Sequence, residues 1–273
     1  MGVFEPLSVE AIQDGLSTHF VGRNVVCLAE VGSTNDTARL LAQRQAAEGA
    51  PPENPEGMLV VAEYQTQGRG RLARRWQAPA GSSLLLSLVF RPPLAPSQVQ
   101  RLVMVCSLAV ADAVEVETGL TVGLKWPNDL LIDDAKVGGI LVEMATRGER
   151  VEYVIVGIGL NVNLDPAELP RDLLMPATSL SHKAGRQIAR VSLLRTLLQE
   201  IETRYVAMLE GTQPQDEWAG RLVTLGRPVS VSGVGSVLEG MAEGVDADGA
   251  LLIRRADGGL ERVLAGDVTL RKP

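Results

Sequence analysis

Residues 122–126, 130–132, 137–146 and 151–162 are four apolar segments in succession, with no stretch between them long enough for a helix. Parallel neighbours need a crossover of a dozen or more residues, so these segments predict antiparallel strands. The last two are joined by a tight turn at Arg147-Gly148-Glu149. Strands are also predicted at 25–31, 58–64 and 83–90. Helices alternate with them only in the first half and close the large domain. Ser8 caps a helix over 8–18, and Ser33-Thr34-Asn35-Asp36 opens one that runs to residue 47 and is stopped by Gly49. Pro96-Ser97 opens a third, ending near Gly119, with Val99, Leu102, Val103, Cys106, Val110 and Val114 at helical spacing. Leu194, Leu197, Leu198, Ile201, Tyr205 and Met208 predict a fourth, and 215–225 a fifth. Residues 50–57, with three prolines, and the segment carrying Pro166, Pro170 and Pro176 read as loops. The fold class is α+β, not doubly wound.

From Arg227 the pattern becomes short alternating strands with turn signals at Ser232-Gly233, 246–249 and Asp257-Gly258-Gly259. Such hairpins predict a small barrel or sandwich. At about 150 residues per domain, 273 residues allow a large and a small domain, here placed at 1–225 and 226–273.

Composition removes several function classes. Lys and Arg total 26 against 33 Asp and Glu, a formal charge of −7, which argues against a general nucleic-acid binder. The two cysteines, Cys27 and Cys106, make no disulfide framework and read as core residues in a reducing compartment. With two histidines, His19 and His182, a His-rich zinc site is excluded, and neither lies in a triad motif. No basic residue precedes Arg23, so no signal peptide is expected, and the apolar run 102–111 is about half a membrane-spanning length. A cytoplasmic protein is expected. Aromatics make up 3% of the chain, so each of the three tryptophans needs a reason.

Residues 65–82 have neither helical nor strand period, and within them Arg69, Arg71, Arg74 and Arg75 fall in seven residues. Like charges so close are best tolerated when an anion neutralises them. Gly68 and Gly70 permit left-handed backbone and close approach to a ligand, and Trp76 offers a flat face for a purine. A solvated basic loop explains the same stretch. The spacing Gly68 to Ala73 mimics a dinucleotide fingerprint, but no strand runs into the glycines and no helix starts inside them. Gly157-Ile158-Gly159 is a weaker mimic, and no Walker-type loop exists.

Lys125-Trp126-Pro127-Asn128-Asp129 and Lys136 bring two lysines and a carboxylate to neighbouring strand ends. Lysine there can neutralise charge on a phosphate or carbonyl oxygen, although a surface salt bridge in a hairpin is the commoner outcome. Gly138-Gly139 inside an apolar run suggests close ligand approach. Ser33-Thr34-Asn35 is explained by a helix cap alone. Asn161 and Asn163 end a glycine-bearing strand, where an amide reads a base edge or satisfies a turn.

In order and spacing, Ser33-Thr34-Asn35, Ala62-Glu63-Tyr64-Gln65 with Gly68-Arg69-Gly70-Arg71 and Trp76, Lys125-Trp126-Pro127-Asn128-Asp129, and Lys136-Val137-Gly138-Gly139-Ile140-Leu141-Val142-Glu143 closely resemble the biotin protein ligases. The resemblance runs from about residue 25 to 165, and the β-rich tail agrees with that family's C-terminal domain. It implies a fold like class II aminoacyl-tRNA synthetases, a mixed sheet flanked by helices, with a small SH3-like C-terminal barrel. It implies activation of biotin by ATP and Mg²⁺ to biotinyl-5′-AMP, then transfer to one lysine of a biotin carboxyl carrier domain of acetyl-CoA carboxylase.

Carried over by residue, the resemblance implies that Ser33, Thr34, Asn35, Gln65 and Gly139 line the biotin pocket. Arg69, Gly70 and Arg71 would close over biotin and the adenylate, and Trp76 would pack on adenine. Lys136 would contact the biotin carboxyl oxygen and the phosphate, with Lys125 and Asn128 on the phosphate side. Asp129 would orient the incoming lysine, and Asn161 would face adenine. Arg71, Lys125, Asp129 and Lys136 are the expected catalytic set, with no protein-held metal. The family usually has glycine where Ala73 stands, which makes a stiffer loop and argues against left-handed backbone there. Repressor members carry an N-terminal helix-turn-helix domain; here the resemblance begins too near the first residue for one. A homodimeric ligase without nucleic-acid or membrane binding is therefore expected. The rivals are a lipoate-protein ligase, a non-catalytic biotin-binding regulatory protein and a DNA-binding repressor.

Overall fold

The computed structural model describes residues 6–47, 56–169, 173, 175–232 and 237–270. Seven strands, β1 (Val25–Val31), β2 (Met58–Gln65), β3 (Ser83–Phe90), β4 (Gly123–Lys125), β5 (Asp129–Ile132), β6 (Ala135–Arg147) and β7 (Arg150–Asn161), form one sheet in the order β1-β2-β3-β7-β6-β5-β4. Only β1 and β2 run parallel, and α2 (Thr34–Ala47) supplies their crossover. The other neighbours are antiparallel, as short connections demand.

Both faces of the sheet are covered, which explains why its strands read as nearly unbroken apolar runs. On β2, Leu59 and Val61 face the main core, while Met58 and Val60 face a smaller cluster with Ala38 and Ala42 of α2. The main core is built on α3 (Gln100–Thr118) and α5 (Arg190–Leu209), which pack on each other. A 3-10 turn at Pro96–Gln98 leads into α3, and Gly119, at φ 75°, ends it.

The N-terminal helix, α1 (Val9–Gln13), is capped by Ser8 but stops short of residue 18, because Asp14 is extended and Gly15 left-handed. Similarly, α6 (Gln215–Arg221) stops before residue 225, where Leu222 turns extended. A short helix, α4 (Leu180–Ala184), between the Ser179 cap and Gly185, was not expected from the sequence. The expected stop at Gly49, most of the 50–57 loop, Pro170 and Gly233 lie outside the described residues. Cys106 is buried as expected, but Cys27 is only half-buried.

The C-terminal segment forms a second, antiparallel sheet of β8 (Pro228–Ser232), β9 (Leu238–Val245), β10 (Leu251–Arg254), β11 (Leu260–Val263) and β12 (Asp267–Leu270), in the order β11-β10-β9-β8-β12. Val229, Val231, Leu251 and Ile253 join the main core, so the two sheets share apolar packing. Trp126 stitches them together: its buried ring donates from Nε1 to the Gly249 carbonyl oxygen at 2.9 Å. Trp218, also buried, donates to Ser107 Oγ on α3 at 3.0 Å. Among the described residues no helix is long and apolar enough to cross a membrane.

Candidate active site

A cavity of about 1110 Å³ lies over the middle of the large sheet and reaches the seam with the second. The residues that the resemblance assigns to the site all line it: Ser33, Thr34, Asn35, Gln65, Arg69, Gly70, Arg71, Trp76, Lys125, Asn128, Asp129, Lys136, Gly139 and Asn161; Gly68, Gly138 and Asn163 do not.

One end is a polar pocket at the start of α2. Ser33, Thr34 and Asn35 are buried, which a helix cap alone does not require. Gln65, at the end of β2, accepts from Thr34 N at 2.8 Å. Ser87 Oγ lies 2.8 Å from Thr34 Oγ1 and 2.6 Å from Asn35 Oδ1, and Asn35 Nδ2 donates to Glu143 at 2.7 Å. The floor is β7. A Cβ on Gly157 would sit 2.3 Å from Asn35 Oδ1, and one on Gly159 would sit 2.6 Å from the Trp76 ring. The glycine pair discounted as a failed fingerprint is therefore what lets Asn35 and Trp76 lie against the sheet. Its usable signal was two glycines at i and i+2 of a strand, which open one face.

The opposite end holds buried polar atoms without partners. Asn161 Nδ2 donates to the Thr178 carbonyl oxygen at 3.0 Å, but among the described residues Asn161 Oδ1, Trp76 Nε1 and Thr178 Oγ1 have no partner. Buried polar groups are normally satisfied, so orphans clustered at a cavity mark a ligand's place. Thr178 was not foreseen; its segment is fixed by Lys136 N donating to Pro176 O and Thr178 N donating to Lys136 O, each at 2.8 Å. Asn163, by contrast, is spent on the Ile188 backbone.

Lys136 on β6 links the two ends. Its Nζ lies 2.5 Å from Asp129 Oδ1 and 5.8 Å from the centre of the Trp76 ring. A Cβ on Gly139 would make ordinary contacts with this pair, at 3.5 Å and 3.6 Å. Gly138 differs from the expectation of ligand approach: its Cβ would meet Gly159 O and Leu130 at 2.9 Å, so strand packing requires it. Lys125 sits near Asp129, Lys136 and Arg74, and burial pulls its ammonium pKa down.

The arginine loop is less free than its sequence suggests. Arg69 bonds Asp36 at 2.7 Å and Glu143 at 3.0 Å, and Arg74 pairs with Asp267. Among the described residues Arg71 reaches only neutral oxygens, Asn128 Oδ1 and Gly266 O, both at 3.2 Å. Burial pulls its guanidinium pKa down, with Asp129 opposing, yet an arginine stays charged. Arg71 is thus a cation poised for an anion. Asn128, whose Nδ2 donates to Ile140 O at 2.5 Å, is turned to hold Arg71.

Gly68 and Gly70 are not the loop's left-handed residues. Gly70 is extended, at φ −115°, and Gly68 is needed because a Cβ would lie 2.5 Å from Trp76 O. Leu72 and Ala73 take φ of 52° and 58° instead, at about 1–2 kcal/mol each. Left-handed backbone at Ala73 corrects the expectation drawn from its missing glycine.

Residues 42–161 match the Biotin/lipoate A/B protein ligase family, and residues 224–271 match the Biotin protein ligase C terminal domain. The chain is 35% identical over 266 residues to the Bifunctional ligase/repressor BirA of Bacillus subtilis, covering 97% of this chain and 79% of that protein. It is 35% identical over 271 residues to the Biotin--[acetyl-CoA-carboxylase] ligase of Mycobacterium tuberculosis, covering 96% and 95%. The solved biotin protein ligase from Aquifex aeolicus in complex with biotin and ATP superposes with a TM-score of 0.74 at 29% identity, over 92% of this chain and 100% of that one. With its catalytic-sheet motifs and C-terminal domain both matched, this chain belongs to the biotin protein ligase family.

Proposed function

We propose that this chain is an ATP-dependent ligase that activates biotin to biotinyl-5′-AMP and transfers the biotinyl group to a lysine of the biotin carboxyl carrier domain of acetyl-CoA carboxylase. Residues 1–225 form the catalytic part in this reading and 226–273 the C-terminal β domain. One observation carries it: Gly157 and Gly159 seat Asn35 and Trp76 on one face of β7, roughly 7 Å apart along the strand. An acyl-adenylate needs two such adjoining pockets, with cations where they meet.

Biotin occupies the pocket of Ser33, Thr34, Asn35 and Gln65, with Gly139 beside its carboxylate. The adenine lies on Trp76, and the orphaned Asn161 Oδ1 accepts from its exocyclic amine. A carboxylate oxygen then attacks the α-phosphorus, the bond to the β-phosphate oxygen breaks, and pyrophosphate leaves. Two anions must meet, so Arg71, Lys125 and Lys136 offset their repulsion and the charge that builds on the phosphoryl oxygens. Arg69 and Gly70 close the loop edge. In the second step the acceptor amine attacks the acyl carbon and AMP departs. Asp129 orients that amine. Among the described residues no three His, Cys, Asp or Glu side chains converge as a metal cradle. Mg²⁺ would arrive on the nucleotide's phosphates, where one or two protein oxygens are enough to hold it.

Labelled biotin, ATP and purified carrier domain test the whole reaction: label on the carrier that requires ATP is expected, and none with folded enzyme contradicts the reading. Arg71→Gly should keep the fold but release the adenylate, so that bystander lysines are labelled; a variant that still labels only the carrier overturns this role. Gly159→Ala should displace the Trp76 ring and raise KM for ATP about tenfold with little change for biotin, because base–aromatic stacking is lost. Steady-state kinetics with each substrate varied checks this.

The lipoate alternative is disfavoured by the biotin ligase relatives and C-terminal domain. The net charge of −7 supports a ligase that does not bind DNA, which a gel shift at low salt tests. Homodimerisation and a cytoplasmic setting belong to the same reading and are open to sedimentation and cell fractionation.

A further inference from the structure

Leu72 and Ala73 hold left-handed backbone in succession, and a turn of that kind in non-glycine residues persists only when its surroundings hold it. Leu72 is 62% exposed, so its packing is not the hold. Within the loop, Gly70 N donates to Arg74 O at 2.7 Å and Trp76 N to Gly68 O at 2.9 Å. Outside it, the arginines flanking the turn reach two places. Arg71 reaches Asn128 and the Gly266 carbonyl oxygen, and Arg74 pairs with Asp267, 193 residues along the chain. Asp267 opens β12 in the second sheet, and Gly266 immediately precedes it. That point is firmly seated: a Cβ on Gly266 would lie 2.6 Å from Val231 Cγ1 and 3.0 Å from Ser232 O of β8.

We propose that Asp267, with the Gly266 carbonyl beside it, is a positioning residue that clamps the arginine loop from the C-terminal sheet in its strained, cavity-bordering form. It touches no substrate and acts through Arg74 and Arg71. Resting on the ligase reading, the clamp makes the C-terminal sheet the part of the molecule that sets how long the reactive adenylate stays enclosed. It also accounts for how a chain with alanine at position 73 holds a backbone conformation suited to glycine.

The test uses the full chain carrying Asp267→Ala, with two readouts: amide hydrogen exchange over residues 69–76, and release of enzyme-bound biotinyl-adenylate made from biotin and ATP. Loop exchange and release should both quicken roughly two- to fivefold, the range for a partly exposed ion pair. Arg74→Gln should reproduce the effect. Adding Ala73→Gly to Asp267→Ala should return both readouts toward the wild-type values, since glycine takes left-handed backbone without strain. Wild-type loop exchange in Asp267→Ala overturns the proposal. So does a general rise of exchange across β8–β12 that Ala73→Gly does not reverse. Failure of the ligase reading looks different: the wild type itself then forms no adenylate, while loop exchange still follows the predicted order.

Discussion

Lys136→Met should slow biotin-dependent ATP–pyrophosphate exchange by about 10²–10³-fold, the usual loss when one preorganised charge at a developing oxyanion is removed. Methionine keeps an apolar stem of similar length and leaves intact the backbone bonds of residue 136 to Pro176 and Thr178, so the pocket wall should survive. What disappears is the ammonium beside Asp129, at the junction of the two pockets. The uncovered Asp129 carboxylate remains part-exposed and can hydrate, which keeps the cost to stability small. A variant with an unchanged melting temperature and exchange within tenfold of wild type would remove Lys136 from the chemistry.

Arg190→Met should cost stability about 3 kcal/mol, because it removes a buried guanidinium and the charged hydrogen bonds it makes. The Arg190 side chain is 2% exposed and grips Glu63 at 2.6 Å and 3.1 Å. It also donates to the Ser83 carbonyl oxygen at 3.2 Å, and Glu63 accepts from Leu7 N at 2.6 Å. One ion pair thus joins the start of α5, strands β2 and β3, and the segment before α1. For a chain of this size the melting temperature should fall by about 10 °C. Thermal denaturation of Arg190→Met beside the double variant with Glu63→Gln separates causes: the double variant should lose less, since no charge is then stranded. Equal losses would assign the effect to packing alone.

Much of the fold was legible because burial on both faces leaves little ambiguity: β1 and β3 occupy the expected 25–31 and 83–90. Helix ends were legible where a glycine was read as a stop, as at Gly119, and misread at residue 14, where Gly15 was passed over, and at residue 222, where the backbone turns extended without a breaker. The site was legible where charge departs from its surroundings, in the arginine loop and the lysine hairpin. It was illegible where a residue's meaning lies in a distant partner. Gly157 and Gly159 look like a weakened strand until Asn35 and Trp76 are laid on them. Gly138 looks like ligand approach until β7 and Leu130 are packed against it. Charge alone also overstated the freedom of Arg69 and Arg74, whose carboxylate partners come from α2, β6 and β12.

The same separation in sequence hides the contribution of the second sheet. No local pattern marks Gly266 or Asp267, yet both meet the arginine loop. Ala73 illustrates the converse. Read locally, alanine argues against left-handed backbone; in the fold, anchored arginines on both sides impose it.

ATP–pyrophosphate exchange on the purified chain, with biotin and lipoate supplied separately, is the most direct measurement of adenylation. Exchange that requires biotin and ignores lipoate is the predicted result. Exchange with lipoate alone, or none with either from a folded, Mg²⁺-supplied sample, would contradict it.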